Sequence, residues 1–376
     1  MYLQPKPSRR RSSFWAWLAS AAVAAVVAWS LYSRQTDIME AVRGPLPTPT
    51  PTEISAVEHV SVADRLFWEG SYDDAMAEYE RATELDPALA VAYSRWARIL
   101  ALRHRTEDAV PLARRAVEID AELAESQAIL GMVLDWHGEV SEAIGVCLRA
   151  TKIDPDYALG YAYLAEAYGD YGRTLEAQEM ARKAVELDGA DPFVRRTLGY
   201  TYELLGRYED AVYEYETALS INPSLAFVYH DLGRNHRALG NLEEAAFHFE
   251  SATDVDPCDP QGYDQLGWTY FAEGLYEMAT NELETAIQID PEYATAHGHL
   301  AVTYYVRRNY EMAIPSFLRA IELGARSEEY YYELGFCYAY LDQCEEAEYW
   351  FAEALELNPN SSVAWQGIAY CREGSE

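Results

Sequence analysis

"LGRYEDAVYEYETALSINP", residues 205–223, sets three tyrosines and four carboxylates into nineteen positions. Tyr213 and Tyr215 alternate with Glu214 and Glu216, a spacing that would suit acid–base chemistry if it occurred once. It recurs: "EGSYDDAMAEYERATELDP" at 69–87, "EGLYEMATNELETAIQIDP" at 273–291 and "LDQCEEAEYWFAEALELNP" at 341–359 keep the same frame. A catalytic constellation is built once per chain, so the recurrence reads as architecture.

The period follows from the helix-ending dipeptides. Asp86-Pro87, Asp154-Pro155, Asn222-Pro223, Asp256-Pro257, Asp290-Pro291 and Asn358-Pro359 lie 34 residues apart or at multiples of 34, with Asp120-Ala121, Asp188-Gly189 and Gly324-Ala325 filling the gaps. Counting each repeat from 31 residues before its Pro gives nine, from 56–89 to 328–361, without insertion or deletion. Position 8 is always Ala or Gly, positions 20 and 27 are always Ala, and position 24 is usually large. Small residues let two helices approach closely while large ones fill the space between. Each repeat therefore reads as helix, short turn, helix, stop.

This pattern resembles the tetratricopeptide repeat, W-x2-L-G-x2-Y, then A-x3-F, then A and P. Repeat 5 gives Leu198-Gly199-x2-Tyr202, Ala211-x3-Tyr215, Ala218 and Pro223; repeat 7 gives Tyr263-x2-Leu266-Gly267-x2-Tyr270, Ala279-x3-Leu283, Ala286 and Pro291. Repeats 2 and 8 depart, lacking the terminal Pro and carrying Pro111 and Pro315 early in the second helix, where a small kink is expected. Residues 362–376 repeat only the first helix and suit a cap on an open end. The expected fold is all-α: a right-handed α-solenoid of nine helix-turn-helix repeats with a capping helix, preceded by one transmembrane helix. Tyr208, Ala211 and Tyr215 of the opening stretch belong to its packing frame, and Glu209, Glu214 and Glu216 to a solvated face.

The transmembrane expectation rests on residues 14–32, which carry no charged side chain. Lys6, Arg9, Arg10 and Arg11 precede the run, placing the tail 1–13 in the cytoplasm and the repeats outside it. The other reading is a cleaved signal peptide with Val26 and Ala28 before the cut, and secretion of the body. Alternating Pro and Thr in "RGPLPTPTPTE" make 33–55 an extended linker.

The chain carries 62 acidic and 29 basic residues. Six basic and two acidic residues fall within 1–43, leaving the body strongly anionic. Nucleic-acid binding, which needs cations to displace phosphate counterions, is excluded on that ground. No Gly-rich phosphate loop, nucleophile elbow or metal-ligand spacing appears, so neither catalysis nor a cofactor is expected. His297 and His299 point to different sides of a helix. The five cysteines are spread out; a bridge among Cys337, Cys344 and Cys371 is one fate and burial as small hydrophobes the commoner.

By the resemblance, partners lie along the inner surface of the superhelix, lined by positions 2, 5, 9 and 12 of the first helices. Repeat 3 offers Glu125, Ala128, Met132 and Asp135. Repeats 5 and 6 offer Arg196, Tyr200, His230, Arg234 and Arg237, a basic island; repeats 7 to 9 offer Asp264, Trp268, Phe271, Tyr305, Tyr332 and Phe336, with Tyr370 on the cap. Arg234 and Asp264 are expected to neutralise each other if the face is structural. The family's carboxylate clamp of inner Lys and Asn is not matched. These residues point to a membrane-anchored scaffold that takes a protein or peptide in its groove during cell-envelope assembly. The alternatives are a self-associating array and a carbohydrate-binding partner of an envelope enzyme.

Overall fold

The turn inside each repeat falls on position 15, and the backbone there must be left-handed for the second helix to fold back on the first. Gly70, Gly138, Gly172, Gly206, Gly240 and Gly274 supply it at φ between 68° and 92°. His104, Arg308 and Asp342 adopt the same region at φ 57°, 61° and 59° despite their Cβ atoms. The structure is a computed structural model that describes residues 13–43 and 54–373. The chain divides into two units, Met1–Ile54 and Ser55–Glu376.

In the larger unit every described element is an α-helix. Repeat 1 pairs Ala56–Trp68 with Tyr72–Leu85, and the pairing continues to Glu328–Tyr340 with Cys344–Leu357 in repeat 9; Ser362–Glu373 then packs on both helices of that last repeat. Ser55 opens the array with a capping box to Glu58. Asp191 and Asp259 cap the helices that begin at Pro192 and Pro260. The small-against-large fit is tight: a Cβ on Gly199 would lie 2.7 Å from the Tyr215 ring, and one on Gly233 2.6 Å from Phe249. Pro111 and Pro315 sit inside helices that run on through them.

Position 31 closes each repeat. Asp86, Asp120, Asp154, Asp188, Asn222, Asp290 and Asn358 each accept, through a side-chain oxygen, the backbone N–H two residues on, an Asx turn that sets up the next helix. Gly324 replaces this device in repeat 8 with φ 96°. Asp256 of repeat 6 is the exception: its carboxylate is spent on Arg103 of repeat 2, at 2.8 and 2.6 Å.

That exception marks a seam where the superhelix closes on itself. Arg103 also holds Asp73. The Tyr72 hydroxyl donates to the carbonyl of Ser224 at 3.2 Å, and Asn222 Nδ2 donates to the carbonyl of Trp68 at 3.1 Å. Phe67 of repeat 1 stacks on Phe193 of repeat 5 at 6.2 Å, Phe193 on Phe227 at 5.1 Å, and the Arg98 guanidinium lies 4.6 Å over Phe67 and 5.2 Å over Phe193.

In the smaller unit a single helix runs Ser13–Arg43. This corrects the linker expected over 33–55: residues 33–43 contain neither Gly nor Pro and continue the helix, and the linker's 44–53 lie outside the described residues. So do 1–12 of the basic tail and 374–376 of the cap. Among the described residues no helix is long and apolar enough to cross a membrane, so the span expected over 14–32 is not supported. The described side chains there cover 17–33, roughly 25 Å at about 1.5 Å per residue against a hydrocarbon core of about 30 Å. Those side chains are exposed, Trp17 and Trp29 among them.

Candidate functional site

The inner surface has two characters. In repeats 2 to 6 it is largely buried, and most of its charges are paired within the array, Asp135 excepted. Arg196 donates to Glu166 at 2.9 Å and to Asp231 at 2.7 Å, and Glu166 also accepts from Thr197 at 2.6 Å and from the Trp136 indole at 3.1 Å. Arg234 pairs with Asp231 at 2.7 Å, His230 Nε2 with Asp259 at 3.2 Å, and the Tyr200 hydroxyl donates to Asp170. The basic island of the sequence is therefore neutralised by carboxylates from its own and neighbouring repeats. Arg237 donates to Gln265 at 2.9 Å and lies over the Phe249 ring. Asp264 is fully buried and pairs with His299 at 2.7 Å, not with Arg234. The expected Arg234–Asp264 pair fails because each has a nearer partner.

Repeat 3 shows the same closure. Ala128 and Met132 are buried, and Glu125 is held by Arg95 at 2.7 Å. Both carboxylate oxygens of Asp135 are buried without a hydrogen-bond partner. Burial, with Asp170 and Glu166 nearby, pushes its carboxyl up to about 8. Between the seam and the inner faces lies a cavity of 240 Å³, lined by His104, Trp136, Phe227, His230, Arg234 and Gln261 among others.

Repeats 7 to 9 present a different face. Trp268 stacks on Phe271 at 4.5 Å and on His299 at 4.1 Å. Tyr305 meets Tyr310 at 6.1 Å, Tyr310 meets Tyr340 at 5.0 Å, and Tyr340 meets Phe336 at 5.8 Å and Tyr370 at 6.0 Å. Tyr332 and Phe336 pack against the core beneath the cap helix. Trp268, Phe271, Tyr305, Tyr332 and Phe336 are half-buried, while Tyr370 is 51 % exposed. The structure thus joins Tyr305, Phe336 and Tyr370 through Tyr310 and Tyr340, at positions 17 and 13, which the four inner positions do not include.

A second register outside those four is position 6. Arg95 reaches back to Asp64, Thr197 to Glu166, Asp231 to Arg196, Gln265 to Arg237 and His299 to Asp264, each on the preceding repeat. A polar residue at that position in seven of the nine repeats, Ile129 and Tyr163 being the others, was the available sequence signal. Glu333 fills position 6 of repeat 9, and nothing in the preceding repeat answers it. His297 faces elsewhere, with its Nε2 3.1 Å from the Pro291 carbonyl.

Cys344 and Cys371 are joined as a disulfide, Cα to Cα 5.4 Å, tying the last repeat to the cap helix. Cys147 and Cys337 are buried thiols and Cys258 is exposed. No group of His, Cys, Asp and Glu among the described residues is arranged to hold a metal ion.

Tetratricopeptide-repeat profiles match residues 69–89, 194–257, 267–306 and 300–362. Part of repeat 1 and repeats 5 to 9 are thus the stretches that match tetratricopeptide repeats. No curated protein matches the chain by sequence. Among solved structures, a hetero-tetramer of Cut9 and Hcn1 from the APC/C is similar at 18 % identity and a TM-score of 0.62, over 85 % of this chain and 67 % of that one. PilF of Pseudomonas aeruginosa shares 18 % identity at a TM-score of 0.52, over 57 % of this chain and 98 % of its own. A human IFIT1 dimer with PPP-AAAA shares 17 % identity at 0.54, over 79 % of this chain and 81 % of its own. At these identities the likeness is one of fold alone.

Proposed function

We propose that the tetratricopeptide array is a protein-binding scaffold whose partner lies along the inner face of repeats 7 to 9 and the cap helix. One contrast carries this reading: the inner face of repeats 2 to 6 is occupied by its own ion pairs and stacked rings, whereas the aromatic run from Trp268 to Tyr370 keeps half-exposed faces. Large aromatic side chains on an accessible concave surface are the usual anchors of an interface. Tethering to a membrane, with the repeats outside the cytoplasm, belongs to the same proposal. It is supported by the uncharged run 14–32 behind a basic tail and by a disulfide suited to an oxidising compartment. The absence of a full span among the described residues weighs against the tether.

The test is recovery of partners by the full chain beside a Trp268→Ala/Tyr332→Ala/Phe336→Ala variant of unchanged helicity. Partners lost only from the variant support the groove; equal recovery by both sinks it. Carbonate extraction of the expressing cells checks the tether: a chain that leaves the membrane fraction with peripheral proteins is not an integral one.

A further inference from the structure

In five repeats position 6 is a polar slot with a rule; repeats 3 and 4 fill it instead with Ile129, which is apolar, and Tyr163, whose buried hydroxyl has no partner. In those five the side chain turns back toward the preceding repeat and finds a partner at position 5, 9 or 12 there: Asp64 for Arg95, Glu166 for Thr197, Arg196 for Asp231, Arg237 for Gln265, Asp264 for His299. In repeat 9 the slot holds Glu333. The residues that should answer it from repeat 8 are Gly298, Val302 and Tyr305 at positions 5, 9 and 12. Gly298 is fixed as glycine because a Cβ would lie 2.4 Å from the Tyr330 ring, and Val302 is apolar. Glu333 is left 7 % exposed, with Oε2 buried and unpartnered.

A buried carboxylate without a counter-charge is costly, and the cost shows in its titration. Burial first, then the neighbouring Glu329, pushes the Glu333 carboxyl up to about 8. Its charge acts in turn on Cys337, Tyr330 and Tyr332 of its own helix and on Tyr305 of repeat 8. No cation approaches it among the described residues. The wider surroundings have the same sign: residues 260–373 carry nineteen carboxylates and five arginines. Three of those arginines are held locally, Arg307 by Glu277, Arg319 by Glu322 and Arg372 by Glu348.

We infer that Glu333 is the receiving group for an arginine or lysine side chain of a partner segment, with the tyrosines of repeats 8 and 9 walling the cation. The inference rests on the groove proposed above and adds to it the charge of the occupant. In the five repeats that follow the rule the slot is closed by a neighbour of opposite or hydrogen-bonding character; the Glu333 carboxylate has none, and its neighbour has to come from outside. Ring faces beside a carboxylate hold a desolvated cation from two directions, by ion pairing and by the ring quadrupole. Because the unliganded carboxyl is largely protonated near neutrality, docking of the cation expels a proton.

A random heptapeptide display library, selected on the full chain, tests this directly. Peptides recovered on the wild-type chain are expected to be enriched in Arg and Lys. Replacing the basic residue with neutral citrulline, or the protein residue by Glu333→Gln, is expected to weaken binding by about tenfold or more. Calorimetry near pH 7 in two buffers of different ionisation enthalpy should show proton release with the wild-type chain and none with Glu333→Gln. Peptides without basic enrichment, or an affinity indifferent to both citrulline and Glu333→Gln, overturn the assignment of Glu333. Peptides that bind a Phe336→Ala/Tyr340→Ala chain unchanged overturn the groove itself, and a selection that recovers no peptide overturns both.

Discussion

Repeats 1 to 6 and repeats 7 to 9 are cut from one 34-residue frame and finish their inner faces differently. In the first group, Asp64, Glu166 and Arg196 at positions 5 or 9 find their complements on the next repeat and His230 finds Asp259 at the end of its own, so the surface knits shut; Phe67, Phe193 and Phe227 then bring the far sides of the turn together. In the second group Trp268 and Phe271 stack on each other, Tyr305 and Phe336 join the ring contacts through Tyr310 and Tyr340, and none exhausts its faces. The frame residues are the same in both. What separates a closed region of the solenoid from an open one is therefore a handful of side chains that contribute nothing to the repeat itself.

The sharpest way to break this comparison is to remove the ring at the centre of the seam. Phe193→Ala leaves a cavity among Phe67, Phe227 and Arg98 and is expected to cost about 3–5 kcal/mol in denaturant unfolding, while Tyr370→Ala in the open group costs less than about 0.5 kcal/mol. Comparable losses at the two sites would erase the distinction. Next in size is Asp256→Ala, which strips Arg103 of its buried partner but leaves it Asp73; a loss of about 2–3 kcal/mol is expected. Small-angle scattering should show the radius of gyration rising in that variant, and an unchanged radius would mean the seam does not depend on the pair.

Asp135 supplies a test by pH. Its folded carboxyl is raised to about 8, above its unfolded value, so its contribution favours the fold while it stays protonated and is lost as pH climbs through about 8. Asp135→Asn should accordingly be more stable than the parent at pH 9, by about 1–3 kcal/mol, with the gap shrinking toward pH 5. A gap that widens on acidification would reverse the assignment. The smallest effect expected is at the position-15 turns. Arg308→Gly should stabilise the array by about 1 kcal/mol by relieving a left-handed residue. His104→Gly should gain less, since that side chain also lines the cavity beside the seam. Equal gains would show that His104 contributes nothing there.

Most of the architecture was legible because a repeat states its rules many times over. Position 8 against position 24, the turn at 15 and the stop at 31 each recur in the chain, and the structure puts Gly233 against Phe249 as that spacing requires. The seam was not legible. It joins residues up to 154 positions apart, and nothing in the sequence near Arg103 or Asp256 distinguishes them from other turn residues. The site was only partly legible. Trp268, Tyr305 and Phe336 follow from helical spacing, but whether Arg196 and His230 are open or paired depends on their neighbours. For Arg196 the deciding neighbour is Asp231 at position 6, which lies between the inner positions and belongs to neither face. Tyr310 and Tyr340 escape for a similar reason: they enter the aromatic run from the turn side.

The long-range contacts of the seam also set an order of events. A solenoid with neighbour-only contacts grows by propagation, each repeat docking on one already formed, and its chain need never wait. Here Tyr72 donates to Ser224 and Arg103 to Asp256, separations of 152 and 153 residues. During synthesis the first two repeats would emerge and fold against each other well before their distant partners exist, leaving Phe67 and Arg98 facing water until repeat 5 and the end of repeat 6 arrive. The last step of folding for the oldest repeats is thus scheduled by much younger residues, and a nascent chain halted before Asp256 should carry a loose amino-terminal end, however well each of its repeats has formed.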